Sequence, residues 1–320
     1  MIAAFLLGWW GTFLLAFPIY QYASRRLLDR PSARSSHTTP TPRGGGGSIV
    51  LTVLLFLPPA YGAGLLSGAL TTALLGGVLL ALMGWLDDHR SLPIPLRLGV
   101  QVAAAAWSLF WLSQEASFSA WLTPVLFGLL LWFTNLYNFM DGIDGLVSSQ
   151  GFFWSLVLAL AAGWRALPEG ILLALLSGSF LSFLLWNWPR AEIFLGDVGS
   201  QFLGFTLGLL QIALFLKEPP LGVSAAVMTA PFWIDATWTL ISRFIRGERW
   251  YLPHRSHAYQ KLACRLGHLR VTTLYLLFSL IWLLPSALWA LKGGGSAMMG
   301  MAVATAPILL LMVHIRAGEP

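Results

Sequence analysis

Eleven apolar runs, each near the ~20 residues that a bilayer core requires, follow one another with only short polar breaks between them. They cover roughly residues 2–22, 49–64, 66–86, 98–112, 121–137, 151–164, 171–188, 202–216, 223–245, 271–291 and 297–313. Hydrophobic residues make up 57% of the 320-residue chain and charged residues 10%, which points to membrane-spanning stretches throughout rather than one soluble core. The runs do not alternate with period two, and open sheet edges cannot sit in hydrocarbon. The chain is therefore predicted to be an all-α integral membrane protein of about eleven transmembrane helices.

Lysine and arginine set the expected orientation. Sixteen of the 19 basic residues fall at the end of an odd-numbered run, in the loop after one or in the C-terminal tail, and only Arg165, Lys217 and Lys292 lie opposite. The positive-inside rule then places the N-terminus outside and the C-terminus in the cytoplasm. No basic residue precedes the first run, whereas Arg25 and Arg26 follow it, so it reads as a retained anchor rather than a cleaved signal. Only residues 24–48 and 246–270 form long polar loops, which predicts one polytopic membrane domain over residues 1–320. A single cysteine, Cys264, allows no intrachain disulfide.

On this topology Asp29, Asp87, Asp88, Asp141, Asp144 and Asp197 share the cytoplasmic side, and only Asp235 lies inside a run. Acidic residues contribute little to orientation, so their sidedness asks for another cause, and a cation site is the first candidate. Adjacent carboxylates at Asp87 and Asp88 repel unless a cation or a basic group relieves them. Asn138, Asp141 and Asp144 recur every three residues and share one side of a helical turn, with Gly142 and Gly145 between them. Asp197, beside glycines at the start of a run, fits either a helix cap or a metal-phosphate site. Asp235 is costly in lipid and is expected to face the bundle interior in a structural role.

Basic elements complete the pattern. His254, Arg255 and His257 offer donors for a diphosphate, while zinc lacks a matching set of partners. Arg34, His37, Arg43 and the glycines at 44–47 resemble an anion-binding rim, although a flexible connector uses the same glycines. Carboxylates for Mg²⁺, basic donors for phosphates and a membrane setting suit transfer of a phosphoryl-linked group onto a lipid phosphate. The competing class is an ion-coupled transporter. Transporters place ionisable groups near the midplane, whereas five of these aspartates sit at run ends.

These motifs carry a family resemblance over nearly the whole chain. The Asp87-Asp88 pair, the Asn138-x-x-Asp141-Gly-x-Asp144-Gly stretch, the Gly196-Asp197-x-Gly-Ser200 turn and the His254–His257 loop match, in order and topology, the polyprenyl-phosphate N-acetylhexosamine-1-phosphate transferases, the group that includes MraY and WecA. The His-Arg-Ser-His loop and Gln201 look closer to the WbpL-like branch that starts O-antigen chains than to the peptidoglycan enzyme.

The resemblance implies that a UDP-N-acetylhexosamine donates its sugar-1-phosphate to undecaprenyl phosphate, releasing UMP at the cytoplasmic face of a bacterial inner membrane. It assigns Asp197 to Mg²⁺, with Mn²⁺ as an alternative ion. Asp87 and Asp88 become the catalytic pair at the lipid phosphate, and Asn138 and Asp141 organise the polar centre. Asp144 and Phe194 go to the uracil, and His254, Arg255 and His257 to the donor phosphates. The implied partners are these two substrates and membrane lipids, not nucleic acid, and a homodimer stays open.

Overall fold

The computed structural model describes residues 1–31, 39–252 and 254–319. The first two helices are α1 (Ile2–Arg26) and α2 (Gly47–Gly62), and two-residue strands, β1 (Leu28–Asp29) and β2 (Thr41–Pro42), pair antiparallel between them. Then come α3 (Gly68–His89), α4 (Ile94–Leu112), α5 (Thr123–Met140), α6 (Leu146–Trp164), α7 (Glu169–Asn187) and α8 (Gly196–Lys217). The last six are α9 (Pro219–Met228), α10 (Ala230–Ile245), α11 (Ala258–Leu266), α12 (His268–Phe278), α13 (Leu284–Ala290) and α14 (Gly295–Ile315). A π-helical segment, Ser279–Leu283, joins α12 to α13 in one 23-residue rod.

Among the described residues nine helices are long and apolar enough to cross a bilayer, and the chain is an all-α membrane protein. Two of the eleven predicted runs fall outside these nine helices. The second is a helix of only 16 residues, and the ninth is not continuous but breaks at Thr229 into α9 and α10. Pro231 explains the break, because a proline there removes an amide donor and its ring crowds the preceding turn.

Helix α8 is the axis of the bundle. It is buried along nearly its whole length, with α3 and α5 packed along it and α2 and α9 touching its flanks. The outer helix α1 instead presents Leu7, Leu14 and Phe17 outward and packs through small residues onto α7. A methyl group on Gly8 would lie 2.0 Å from the Leu175 carbonyl oxygen, and one on Gly178 2.0 Å from that of Phe5. Close approach of this kind replaces the hydrophobic drive that lipid cannot supply between helices.

Charge separates to the two ends of the bundle. At one end Lys217 of α8 meets Glu115 at 2.5 Å and the buried Glu169 at 2.6 Å, while Arg165 pairs with Glu218 at 2.6 Å. Ser67, the N-cap of α3, hydrogen-bonds Glu115 as well. Burial alone would raise the Glu115 carboxyl, but the hydrogen bonds from Lys217 and Ser67 outweigh it and its pKa is lowered. The aspartates gather at the other end.

Candidate active site

The site forms where the end of α3 meets the start of α8. Asp88, on the last turn of α3, accepts the Asp197 amide on Oδ1 and the Val198 amide on Oδ2, each at 3.1 Å. These are orphan donors of α8, so the cap comes from a neighbouring helix rather than from Asp197 itself. Gly196 makes this approach possible. Its φ is +75°, and an added methyl would lie 2.5 Å from the Gly44 nitrogen and 2.8 Å from Asp88 Oδ2.

Asp87 and Asp88 turn to different partners. Asp87 accepts the Leu92 amide at 2.5 Å and the Arg97 guanidinium at 3.0 Å. Asp88 faces Arg43, whose Nε lies 3.6 Å from Oδ1 and whose other end donates to the Asp88 carbonyl at 2.6 Å. The repulsion expected between the adjacent carboxylates is thus relieved by two arginines and three backbone amides.

The glycine-rich segment reads differently from the anion-binding rim expected of it. The Gly45 and Gly46 amides donate to the Phe194 and Leu195 carbonyls at 2.9 and 2.8 Å, and the Phe194 amide donates to Pro42. These N–H groups hold two loops together and do not face an open cradle. Arg34 and His37 lie outside the described residues.

Helix α5 supplies the centre. Asn138 donates to Asp197 Oδ1 at 2.6 Å and to the Ser200 hydroxyl at 3.0 Å. One turn deeper Asn135, Gln101 of α4 and Gln201 of α8 exchange hydrogen bonds of 2.9 to 3.3 Å, tying the three helices together. Asp141 ends α5. Burial pushes its carboxyl well above the ordinary range, reinforced by the Asp197, Asp88 and Asp144 carboxylates.

Asp144 is more constrained than the sequence implied. Its Oδ2 lies 3.2 Å from His268 Nδ1 and accepts the Ala191 amide at 3.3 Å, while its carbonyl accepts the Thr272 hydroxyl. It therefore pins the start of α12 and the loop before α8.

The histidine loop reaches the same end through α11. Tyr259 donates its hydroxyl to the Phe139 carbonyl at 2.8 Å, beside Asp141. His254 is half-buried with Nδ1 2.9 Å from the Ser256 hydroxyl, and burial, followed by the neighbouring His257 and Arg243, lowers its pKa to about 4. His257 is buried and faces Asp235. Arg255 forms no ion pair among the described residues; its guanidinium reaches Cys264 Sγ at 3.4 Å.

Sequence reasoning missed Arg97 and His268 as partners of the aspartates, and Gln101 as a tie between helices. Arg97, one helix start after the acidic pair, was detectable as a counter-charge. His268 is 124 residues from Asp144, and nothing local marks it.

Among the described residues no three His, Cys, Asp or Glu side chains are grouped so that together they could hold a metal ion. The donor set still fits a hard cation. Asp197 lies against the Asp87 and Asp88 carboxylates and near Asp141, all donors are oxygens, and no ion pair among the described residues includes Asp197. Mg²⁺ typically takes one or two protein carboxylates and completes its shell with water and phosphate oxygens, which suits such an open arrangement.

Fold and site define a multi-pass membrane protein with an acidic, arginine-flanked centre at one end of its bundle. Residues 70–215 match the family described as glycosyl transferase family 4. An undecaprenyl-phosphate alpha-N-acetylglucosaminyl 1-phosphate transferase of Thermotoga maritima is 30% identical over 85% of this chain and 85% of its own. A decaprenyl-phosphate N-acetylglucosaminephosphotransferase of Mycolicibacterium smegmatis is 25% identical over 99% of this chain and 87% of its own. A phospho-N-acetylmuramoyl-pentapeptide-transferase of Thermotoga neapolitana is 30% identical over 54% of this chain and 60% of its own. The chain belongs to glycosyl transferase family 4, and the resemblance drawn from its four motifs is borne out.

Proposed function

We propose that the protein transfers N-acetylhexosamine-1-phosphate from a UDP-sugar to undecaprenyl phosphate, forming the first lipid-linked sugar of an O-antigen or related cell-surface polysaccharide. One observation carries the reading. Asp197 stands at the start of the most enclosed helix, among the carboxylates of Asp87, Asp88 and Asp141 and near Arg43 and Arg97, at one end of an apolar bundle. The relatives named as N-acetylglucosamine-1-phosphate transferases support it, and their longer coverage favours an N-acetylglucosamine donor over the muramoyl-pentapeptide one. Loop charge supports eleven crossings, with α2 and the α9–α10 pair counted as crossings, and a site facing the cytoplasm across the inner membrane.

In this reading an oxygen of the lipid phosphate attacks the sugar-bearing phosphorus, the anhydride bond to the nucleotide breaks, and UMP leaves. Such a transfer depends on positioning and charge neutralisation, and the acceptor phosphate is itself an adequate nucleophile, which favours direct attack over a covalent enzyme intermediate. Asp87, steadied by Arg97, engages the lipid phosphate or takes its remaining proton. Asp88 keeps the start of α8 in place. Asn138 orients Asp197, and Asp141 lies beside it. His254, Arg255 and His257 receive the donor phosphates, and Asp144 and Phe194 the uracil. Asp197 would hold Mg²⁺ or Mn²⁺, which would supply charge neutralisation for the diphosphate.

Purified protein with Mg²⁺, undecaprenyl phosphate and a panel of UDP-N-acetyl sugars tests this. UMP release with one or two donors, stopped by EDTA, is the expected result. No release from any donor, with folding shown separately, would favour the ion-coupled transporter. Labelled donor without lipid tests direct attack, and a trapped sugar-phosphate on Asp87 or Asp88 would overturn it.

A further inference from the structure

Four donors converge on the fully buried carboxylate of Asp235 in α10. Oδ1 accepts the Thr239 hydroxyl at 3.1 Å and the Ala258 amide at 3.0 Å, and lies 3.2 Å from His257 Nδ1. Oδ2 accepts the Tyr259 amide at 3.0 Å. Ala258 and Tyr259 are the first residues of α11, so a side chain on one helix caps the next. A carboxylate stripped of water needs such a set of partners, which makes the arrangement mutually obligatory.

The cap fixes a ring stack. His257, immediately before α11, has its ring centroid 6.2 Å from Phe139 at 26° and 5.0 Å from His254 at 23°. A methyl group on Gly142 would lie 2.2 Å from the Tyr259 hydroxyl oxygen, so a side chain there would displace the hydroxyl that ties α11 to the Phe139 carbonyl at the end of α5. A carboxylate on one ring nitrogen also sets a histidine's tautomer and orientation.

We infer that Asp235 is a positioning residue: its carboxylate caps α11 and holds His257 as the middle ring of the Phe139–His257–His254 stack, thereby fixing where His254 stands. The inference rests on the assignment of His254 and His257 to the donor phosphates.

Asp235→Asn replaces one acceptor oxygen with an amide donor and should speed amide hydrogen exchange across residues 254–262 roughly five- to tenfold, leaving α6 and α7 unchanged. KM for UDP-N-acetylglucosamine should rise roughly tenfold while KM for undecaprenyl phosphate stays put. Combined with His254→Gln, the rise should be less than additive. Thr239→Val removes one donor without touching the carboxylate and should move exchange and KM the same way by less, which keeps the test open if Asp235→Asn does not fold. Unchanged exchange in a folded variant overturns the inference, as does faster exchange with only kcat lowered. If the wild type releases no UMP from any donor, the proposed reaction fails instead, and the exchange measurement alone decides for or against the cap.

Discussion

Asp88 caps the helix that carries Asp197. Its two carboxylate oxygens take the Asp197 and Val198 amides, while Arg43 balances its charge. The acidic pair at the end of α3 therefore divides its work, since Asp87 answers to Arg97 and Leu92 and Asp88 holds the neighbouring helix start.

Asp88→Ala leaves two amides without their acceptor and Arg43 without its counter-charge, and should cost about 1–3 kcal/mol of stability together with activity. Asp88→Asn keeps one acceptor oxygen and should fall between. Thermal unfolding in detergent, read beside UMP release, checks this, and an unshifted melt for Asp88→Ala would refute the cap.

Asp197→Asn is nearly isosteric and preserves contact with Asn138, so the fold should survive while turnover disappears. Near-normal Mg²⁺-dependent activity in this variant would remove Asp197 from the role of ligand. Asn138→Ala, which frees Asp197 without removing its charge, should lower kcat less.

Lys217→Met tests the opposite end of the bundle. It leaves Glu169, whose Oε2 already lacks a partner among the described residues, without its cation. Breaking a buried ion pair costs about 3–5 kcal/mol, and the partial exposure of Lys217 should bring the loss toward or below the lower figure. The folded fraction should keep its KM values. Adding Glu169→Gln should restore much of the stability, which chemical or thermal unfolding of the double variant would reveal.

His254 contributes a pH dependence of known sign. Its pKa falls from 6.5 to about 4 on folding, so between those values the unfolded chain binds more protons. Stability should decrease as pH drops through that window and be unaffected by this residue above it. His254→Gln should flatten the melting-temperature profile there relative to wild type; identical profiles would contradict the shift. Glu115 acts lower, losing its contribution only as pH falls below 4.5.

Several features are legible in the sequence. Loop charge and run spacing brought Asp87, Asp88, Asp141, Asp144 and Asp197 to one face, and the structure joins them there. The three residues set opposite by charge include Arg165 and Lys217, which do meet acidic partners at the far end. The break at Thr229 was missed, although Pro231 stood inside the run that had been read as continuous. The glycines at 44–47 misled because a mobile connector, an anion cradle and a tight loop contact all select the same residue.

Run length, hydropathy and the sidedness of lysine and arginine were enough to define an all-α membrane bundle with an acidic end, because lipid forces backbone groups to pair within each helix and punishes charge locally. The partner of each aspartate was decided elsewhere. Asp144 with His268, Asp235 with the start of α11 and Asp88 with the start of α8 join segments 124, 23 and 109 residues apart. Such pairs depend on which helices pack together and at what height, and no local pattern of residues encodes that.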